Sequence, residues 1–298
     1  MLKNKLSSYY YEKKYKFFFY LYRTNKKILE SFFFTKFHNK NLLEYYNRNI
    51  DNFNFDKIPK TCYQTWKNKT LPSEIKYIIN KNKEKNPEIT FKLYDDDEMD
   101  EFIQKNFDER IVKAYKQINL GVVKSDFWRY CILYINGGIY LDIKSSLETK
   151  LFGNIIMDND ICILDIKRSA WSYNSKKGIN LLRALNILNG CREQWLLIFC
   201  KKHPYLKNMI NNLVTNILDN NICVPYSQDN LNKKKEKILR LSGPDAFSAA
   251  IDNFIVSNCI LHREINYTKI AKISPKGRPM YNDNYPHYTK QGNILLDS

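Results

Sequence analysis

The chain has 298 residues, of which 48 are Lys or Arg and 31 Asp or Glu, for a net charge of +17. Its 44% hydrophobic and 14% aromatic content excludes a disordered chain and is enough to bury one large core or two modest ones. The charge predicts attraction to something anionic, but the basic residues are spread along a chain rich in Lys, Asn, Ile and Tyr, so composition bias is the simpler reading and no specific nucleic-acid partner is expected.

The first fifty residues interleave aromatics with lysines, as in "YYYEKKYKFFFYLYRTNKK". A helix of this composition either docks on the main domain or lies on an anionic membrane surface. Its longest apolar cluster, "FFFYLY" (17–22), is short and flanked by lysines, so neither a signal peptide nor a membrane span is evident. The expectation is a cytoplasmic protein or one peripheral on a membrane face. "IPKTCYQTW" (58–66) reads as a strand entering a loop. Pro72 and Ser73 open a helix that runs to about residue 85 and is closed by Pro87. "ITFKLYDD" (89–96) is a second strand, and an Asp of "DDD" (95–97) caps the helix after it, which favours capping over metal binding for that acidic run.

Residues 120–135 predict an apolar helix ended by "NGG", with Asn136 or Gly137 in the left-handed C-cap, and "IYLDIKS" follows as a strand. "DICILDIK" (160–167) is another strand. Further helices are expected at "LLRALNIL", at "WLLIFCKKHPYLKNMINNLVTNIL" with a break at Pro204, and at "GPDAFSAAIDNFIV"; "NLNKKKEKILR" (230–240) reads as a solvated basic stretch. Strands alternating with helices predict an α/β domain with a largely parallel sheet and extra helices in its second half. Seven dispersed cysteines without a C-x-x-C pair, and four dispersed histidines, argue against a disulfide framework or a zinc site and for a reducing compartment.

Chemistry concentrates in "VVKSDFWRYCILYINGGIYLDIKSS" (122–146), where Asp126, Arg129 and Asp142 interrupt an apolar run. Buried segments seldom carry charge without a partner. Asp126 and Arg129 share a helix face, and they either pair with each other or line a pocket. Strand alternation places Tyr140, Asp142 and Lys144 on one face, opposite Ile139, Leu141 and Ile143, with the polar face near the carboxyl end of the sheet, where open α/β sheets bind ligands. An arginine there suits phosphate; an aspartate suits sugar or ribose hydroxyls, or a divalent cation.

"IPKTCYQTW", "LYDDDEM", "NLGVVKSDFWRYCILYINGGIYLDIK" and "LSGPDAF", in this order and spacing, resemble the DXD-type glycosyltransferases of family 32, which include alpha-1,6-mannosyltransferases and capsule-sugar transferases. The sugar-transferase domain of the large clostridial toxins is a more distant relative. The resemblance covers residues 56–290 and implies a domain over 56–298, with residues 1–55 outside it. It implies a GT-A-like, Rossmann-type mixed sheet flanked by helices, a UDP- or GDP-linked sugar donor, a glycan or other hydroxyl acceptor, and transfer with retention. Carried over by position, Gln64, Thr65 and Trp66 would lie on the donor, with Trp66 on the base. Asp126 would bind sugar or ribose hydroxyls, Arg129 the sugar and diphosphate, and Tyr140 and Asp142 would line the site. Ordinary core packing is the rival account of Trp66 and Tyr140.

The chain departs from the pattern where a D-x-D motif would place its second aspartate, because it reads Asp142-Ile143-Lys144. The family's Mn²⁺ or Mg²⁺ would then be held by Asp142 with ligands from elsewhere, among which His287 in "YNDNYPHYTKQ" is a candidate. Alternatively the Lys144 ammonium neutralises the diphosphate itself, or activity is lost and the chain only binds sugar nucleotides or glycans. The rival from a different class is a basic nucleic-acid-binding protein, which salt-sensitive binding to arbitrary DNA or RNA would reveal.

Overall fold

The computed structural model describes residues 55–165, 192–219, 237–256, 261–273 and 294–296. The N-terminal segment, "LLRALNIL", most of "NLNKKKEKILR" and His287 lie outside these residues. Strand β1 (Thr61–Thr65) leads to helix α1 (Ser73–Lys85), β2 (Thr90–Tyr94), α2 (Asp96–Asn106), α3 (Glu109–Lys116), α4 (Gly121–Asn136) and β3 (Gly138–Leu141). After β4 (Ser145–Leu147) and β5 (Cys162–Asp165) come β6 (Leu196–Phe199), α5 (Pro204–Leu218), α6 (Pro244–Val256), β7 (Arg263–Ile265) and β8 (Ala271–Ile273).

Six strands form one sheet in the order β2-β1-β3-β6-β5-β7, and β4 pairs separately with β8. The sheet is mixed: β2, β1 and β3 run parallel, as do β5 and β7, but β6 is antiparallel to both β3 and β5. The expectation of a largely parallel sheet holds, since five of the six strands run one way and β6 alone is reversed. Its residues, Leu196 to Phe199, fall where the sequence predicts a helix with a break at Pro204. A fully buried four-residue apolar run has no period that separates helix from strand. Pairing with two neighbours decides it, and the helix begins only at Pro204, with His203 as its cap.

Alternation along β3 splits the core. Tyr140 joins one face with Tyr63, Leu197 and Phe199 against α4, α5 and α6, while Ile139 and Leu141 join the other with Ile163 and Ile198. Among the described residues no helix is long and apolar enough to cross a membrane.

Local signals hold where the chain is self-sufficient. Asp95 caps α2, accepting from Glu98 N at 3.0 Å while the Glu98 carboxylate accepts from Asp95 N at 3.0 Å. α3 escaped the sequence reading although Asp108 caps it in the same manner, accepting from Ile111 N at 3.0 Å. Gly137 takes the left-handed cap of α4 at φ 64°, and Gly138 follows at φ 101°. A Cβ on Gly138 would sit 2.5 Å from Thr61 O, in the neighbouring strand. Gly138→Ala is therefore expected to destabilise the fold by about 3 kcal/mol, read as a lower urea midpoint at unchanged slope.

Candidate active site

α4 is buried along most of its length, with Val123, Phe127, Trp128 and Cys131 among its inaccessible residues, so two of its three charged residues, Asp126 and Arg129, are carried into the core by the helix. Asp126 is 3% exposed and Arg129 5%. They do pair, with Arg129 Nη2 3.0 Å from Asp126 Oδ1, and the pairing continues to Asp142 Oδ1 at 3.5 Å. Arg129 Nη1 donates to Gln194 O at 2.9 Å, and the guanidinium lies 4.3 Å from the centre of the Tyr140 ring. Asp126 also accepts from Ser242 Oγ at 2.6 Å and Gln194 Nε2 at 3.2 Å. The three charged groups thus meet past the carboxyl end of β3, where Asp142, with its side chain 38% exposed, is the member open to solvent.

The end of β1 is fastened to the same place. Gln64 Nε2 donates to Leu141 O at 3.4 Å, and Thr65 Oγ1 is 3.0 Å from Ser125 Oγ, itself 3.5 Å from the Tyr140 hydroxyl. Trp66 N donates to Tyr94 O at 3.0 Å, and its side chain packs against the cluster of Ile75, Ile78, Ile79 and Ile143. Tyr140 is therefore a core residue that also underlies Arg129, whereas Trp66 is half-buried at the edge of its cluster.

The strand reading of Asp142-Ile143-Lys144 is corrected. Pairing of β3 with β1 ends at Tyr140 and with β6 at Leu141, so the chain is released and turns, with Ser145 N donating to Asp142 O at 2.8 Å. Ile143 leaves the Ile139–Leu141 face for the α1 cluster, so strand alternation does not extend to Lys144, while Tyr140 and Asp142 both meet Arg129. Lys144 is half-buried in that turn. Gln194, Ser242, Tyr130 and Ser125 are contacts that sequence reasoning missed. "LSGPDAF" contains Ser242, and a strand assignment for "LLIF" would have placed Gln194 at its entry.

Burial pushes the Asp126 carboxyl up to about 6, and Asp142 adds to the rise, while Arg129 and the hydrogen bonds from Ser242 and Gln194 hold it down. For a carboxyl with a raised value, the stability it contributes is present below the usual carboxylate range and lost as pH rises through about 6. Ligand binding that needs the ionised Asp126 runs the opposite way. Donor affinity is expected to fall below about pH 6, and Asp126→Asn to remove that acidic limb, as read by calorimetric titration across pH.

The described residues do not by themselves fit a divalent cation. No group of three His, Cys, Asp or Glu among them has the arrangement of a metal site. Asp126 is saturated by Arg129, Ser242 and Gln194; Asp142 has a guanidinium beside it; and the second D-x-D position is a lysine.

Comparison with known proteins meets the site at its centre: residues 72–162, which span α1 to β5, match the family described as "Glycosyltransferase sugar-binding region containing DXD motif". The resemblance to DXD-type glycosyltransferases holds. The initiation-specific alpha-1,6-mannosyltransferase of Candida albicans is 32% identical over 94 residues, 30% of this chain and 24% of that protein. Its Schizosaccharomyces pombe counterpart is 26% identical over 216 residues, 66% of this chain and 49% of the relative. The chain thus spans less than half the length of these curated relatives. The solved PaToxG glycosyltransferase superposes with a TM-score of 0.47 at 17% identity, covering 73% of this chain and 77% of that one.

Proposed function

We propose that the protein is a glycosyltransferase that moves a sugar from a nucleoside diphosphate sugar to a hydroxyl of a glycan or glycosylated acceptor, with a GT-A-like domain and retention at the anomeric carbon. The observation that carries the reading is the buried Asp126–Arg129 pair reaching Asp142 at the end of β3, inside the segment that matches the sugar-binding family. Mannose is the first sugar to test, because the named relatives are mannosyltransferases.

In this reading Arg129 binds the diphosphate, Asp126 keeps the guanidinium ionised and oriented, and Asp142 accepts from donor hydroxyls. Trp66, Gln64 and Thr65 flank the base side. The bond from the anomeric carbon to the phosphate oxygen breaks, the acceptor oxygen bonds to the same face, and the departing phosphate takes the acceptor's proton. No dedicated base is needed, and the protein's part is positioning and stabilisation of the leaving diphosphate. The charge on that diphosphate is met by Arg129 and Lys144, with Lys144 in place of the cation that a second aspartate would hold.

Lys144 also favours a second reading, a sugar-nucleotide binder without turnover. The test is a thermal-shift screen of UDP- and GDP-sugars with and without Mn²⁺, followed by assay of nucleoside diphosphate release. Stabilisation with release supports transfer. Stabilisation without release supports the binder, and no response to any nucleotide sugar rejects both.

A further inference from the structure

The residues that enter β6 hold the side chains of Asp126 and Arg129 and the backbone of Asp142 at once. The Gln194 side chain donates from Nε2 to Asp126 Oδ1 at 3.2 Å and accepts at Oε1 from the Tyr130 hydroxyl, while its backbone oxygen accepts from Arg129 Nη1 at 2.9 Å. The next residue completes the set, since Trp195 O accepts from Asp142 N at 2.8 Å. Gln194 is 8% exposed, so these bonds lie away from competing water. The single Tyr130 O–H proton is shared between Gln194 Oε1 and Ser242 O, 2.8 Å away, and Ser242 closes the ring on Asp126 Oδ2 at 2.6 Å.

Only a primary amide of this length meets both partners. The carboxylate requires a donor, which aims Nε2 at Asp126 and leaves Oε1 facing the Tyr130 hydroxyl. A glutamate would set a second carboxylate against Asp126, and a methionine would meet neither need.

We propose that Gln194 is a positioning residue: it holds the Asp126–Arg129 pair in the orientation that presents the guanidinium to the donor diphosphate. It touches the pair and is not assigned a contact with the substrate. The inference rests on the glycosyltransferase reading for its consequence, but the clamp itself has a readout that needs no donor.

Gln194→Met keeps volume and the backbone acceptor while removing both side-chain bonds, and Gln194→Asn keeps the amide but shortens it. Both variants are expected to bind UDP or GDP about 10- to 100-fold more weakly than wild type, a cost typical of small misplacement at a site. In an Arg129→Ala background Gln194→Met should cause no further loss, because nothing remains to be positioned. Nitrogen-15 NMR of the arginine side chains supplies the donor-free readout. The Arg129 signal should be resolved in wild type and broadened by fast exchange or rotation in Gln194→Met, with unfolding still cooperative.

If wild type binds no nucleotide but the Arg129 signal changes in the variants, the functional reading fails and the clamp stands. Unchanged affinity and an unchanged Arg129 signal in both folded variants overturn it. So does an equal loss of affinity with and without Arg129.

Discussion

Arg129→Ala is expected to lower donor affinity about 100-fold, to a level that calorimetry still reads, to cripple transfer and to lower the unfolding midpoint. Among the described residues the guanidinium is the one cation in contact with both Asp126 and Asp142, and it stacks on Tyr140. Its removal takes away the proposed diphosphate partner and leaves Asp126 buried without the Arg129 counter-charge. Breaking one side of such a pair costs about 3–5 kcal/mol of stability, part of which Asp126 recovers by taking up a proton. Arg129→Lys separates the two effects. The ammonium retains the charge near Asp126 but cannot reach Asp126, Asp142 and Gln194 O together. Stability is expected to fall by about half as much, with donor affinity down at least about tenfold. Calorimetric titration with UDP and GDP beside urea unfolding measures both quantities. Donor affinity unchanged in Arg129→Ala removes this residue from the site.

The second large effect concerns Lys144 and metal dependence. With Lys144 in place of a second aspartate, transfer is expected to survive EDTA, and Lys144→Ala to lower it by about 100-fold, a loss of about 2.7 kcal/mol in stabilisation of the leaving diphosphate. Lys144→Asp should restore a cation ligand and make activity depend on Mn²⁺. The opposite pattern is equally readable. EDTA abolishing wild-type activity, with Lys144→Ala mild, would mean that Asp142 anchors a cation with ligands from elsewhere, for which His287→Ala is the next variant. Activity that resists EDTA and tolerates Lys144→Ala would leave Arg129 as the main diphosphate partner.

What the sequence by itself determined is local. The Asp95 cap, the Pro72–Ser73 start of α1, the glycine stop after α4 and the alternation of Ile139, Tyr140 and Leu141 follow from signals within a few residues of each other. So does the shared face of Asp126 and Arg129, because a helix brings residues three apart together whatever surrounds it. The tertiary structure alone decided the rest. Whether "LLIF" was helix or strand depended on the open edges of β3 and β5, which no neighbouring residue reveals. β3 ended where its pairing with the short β6 ran out, although β1 continues to Thr65, and that put Ile143 and Lys144 in a turn. Gln194 and Ser242 lie 68 and 116 residues from the aspartate they hold. Hydrogen bonds between such distant groups leave no periodic trace in the chain. Only the closed fold brings them together.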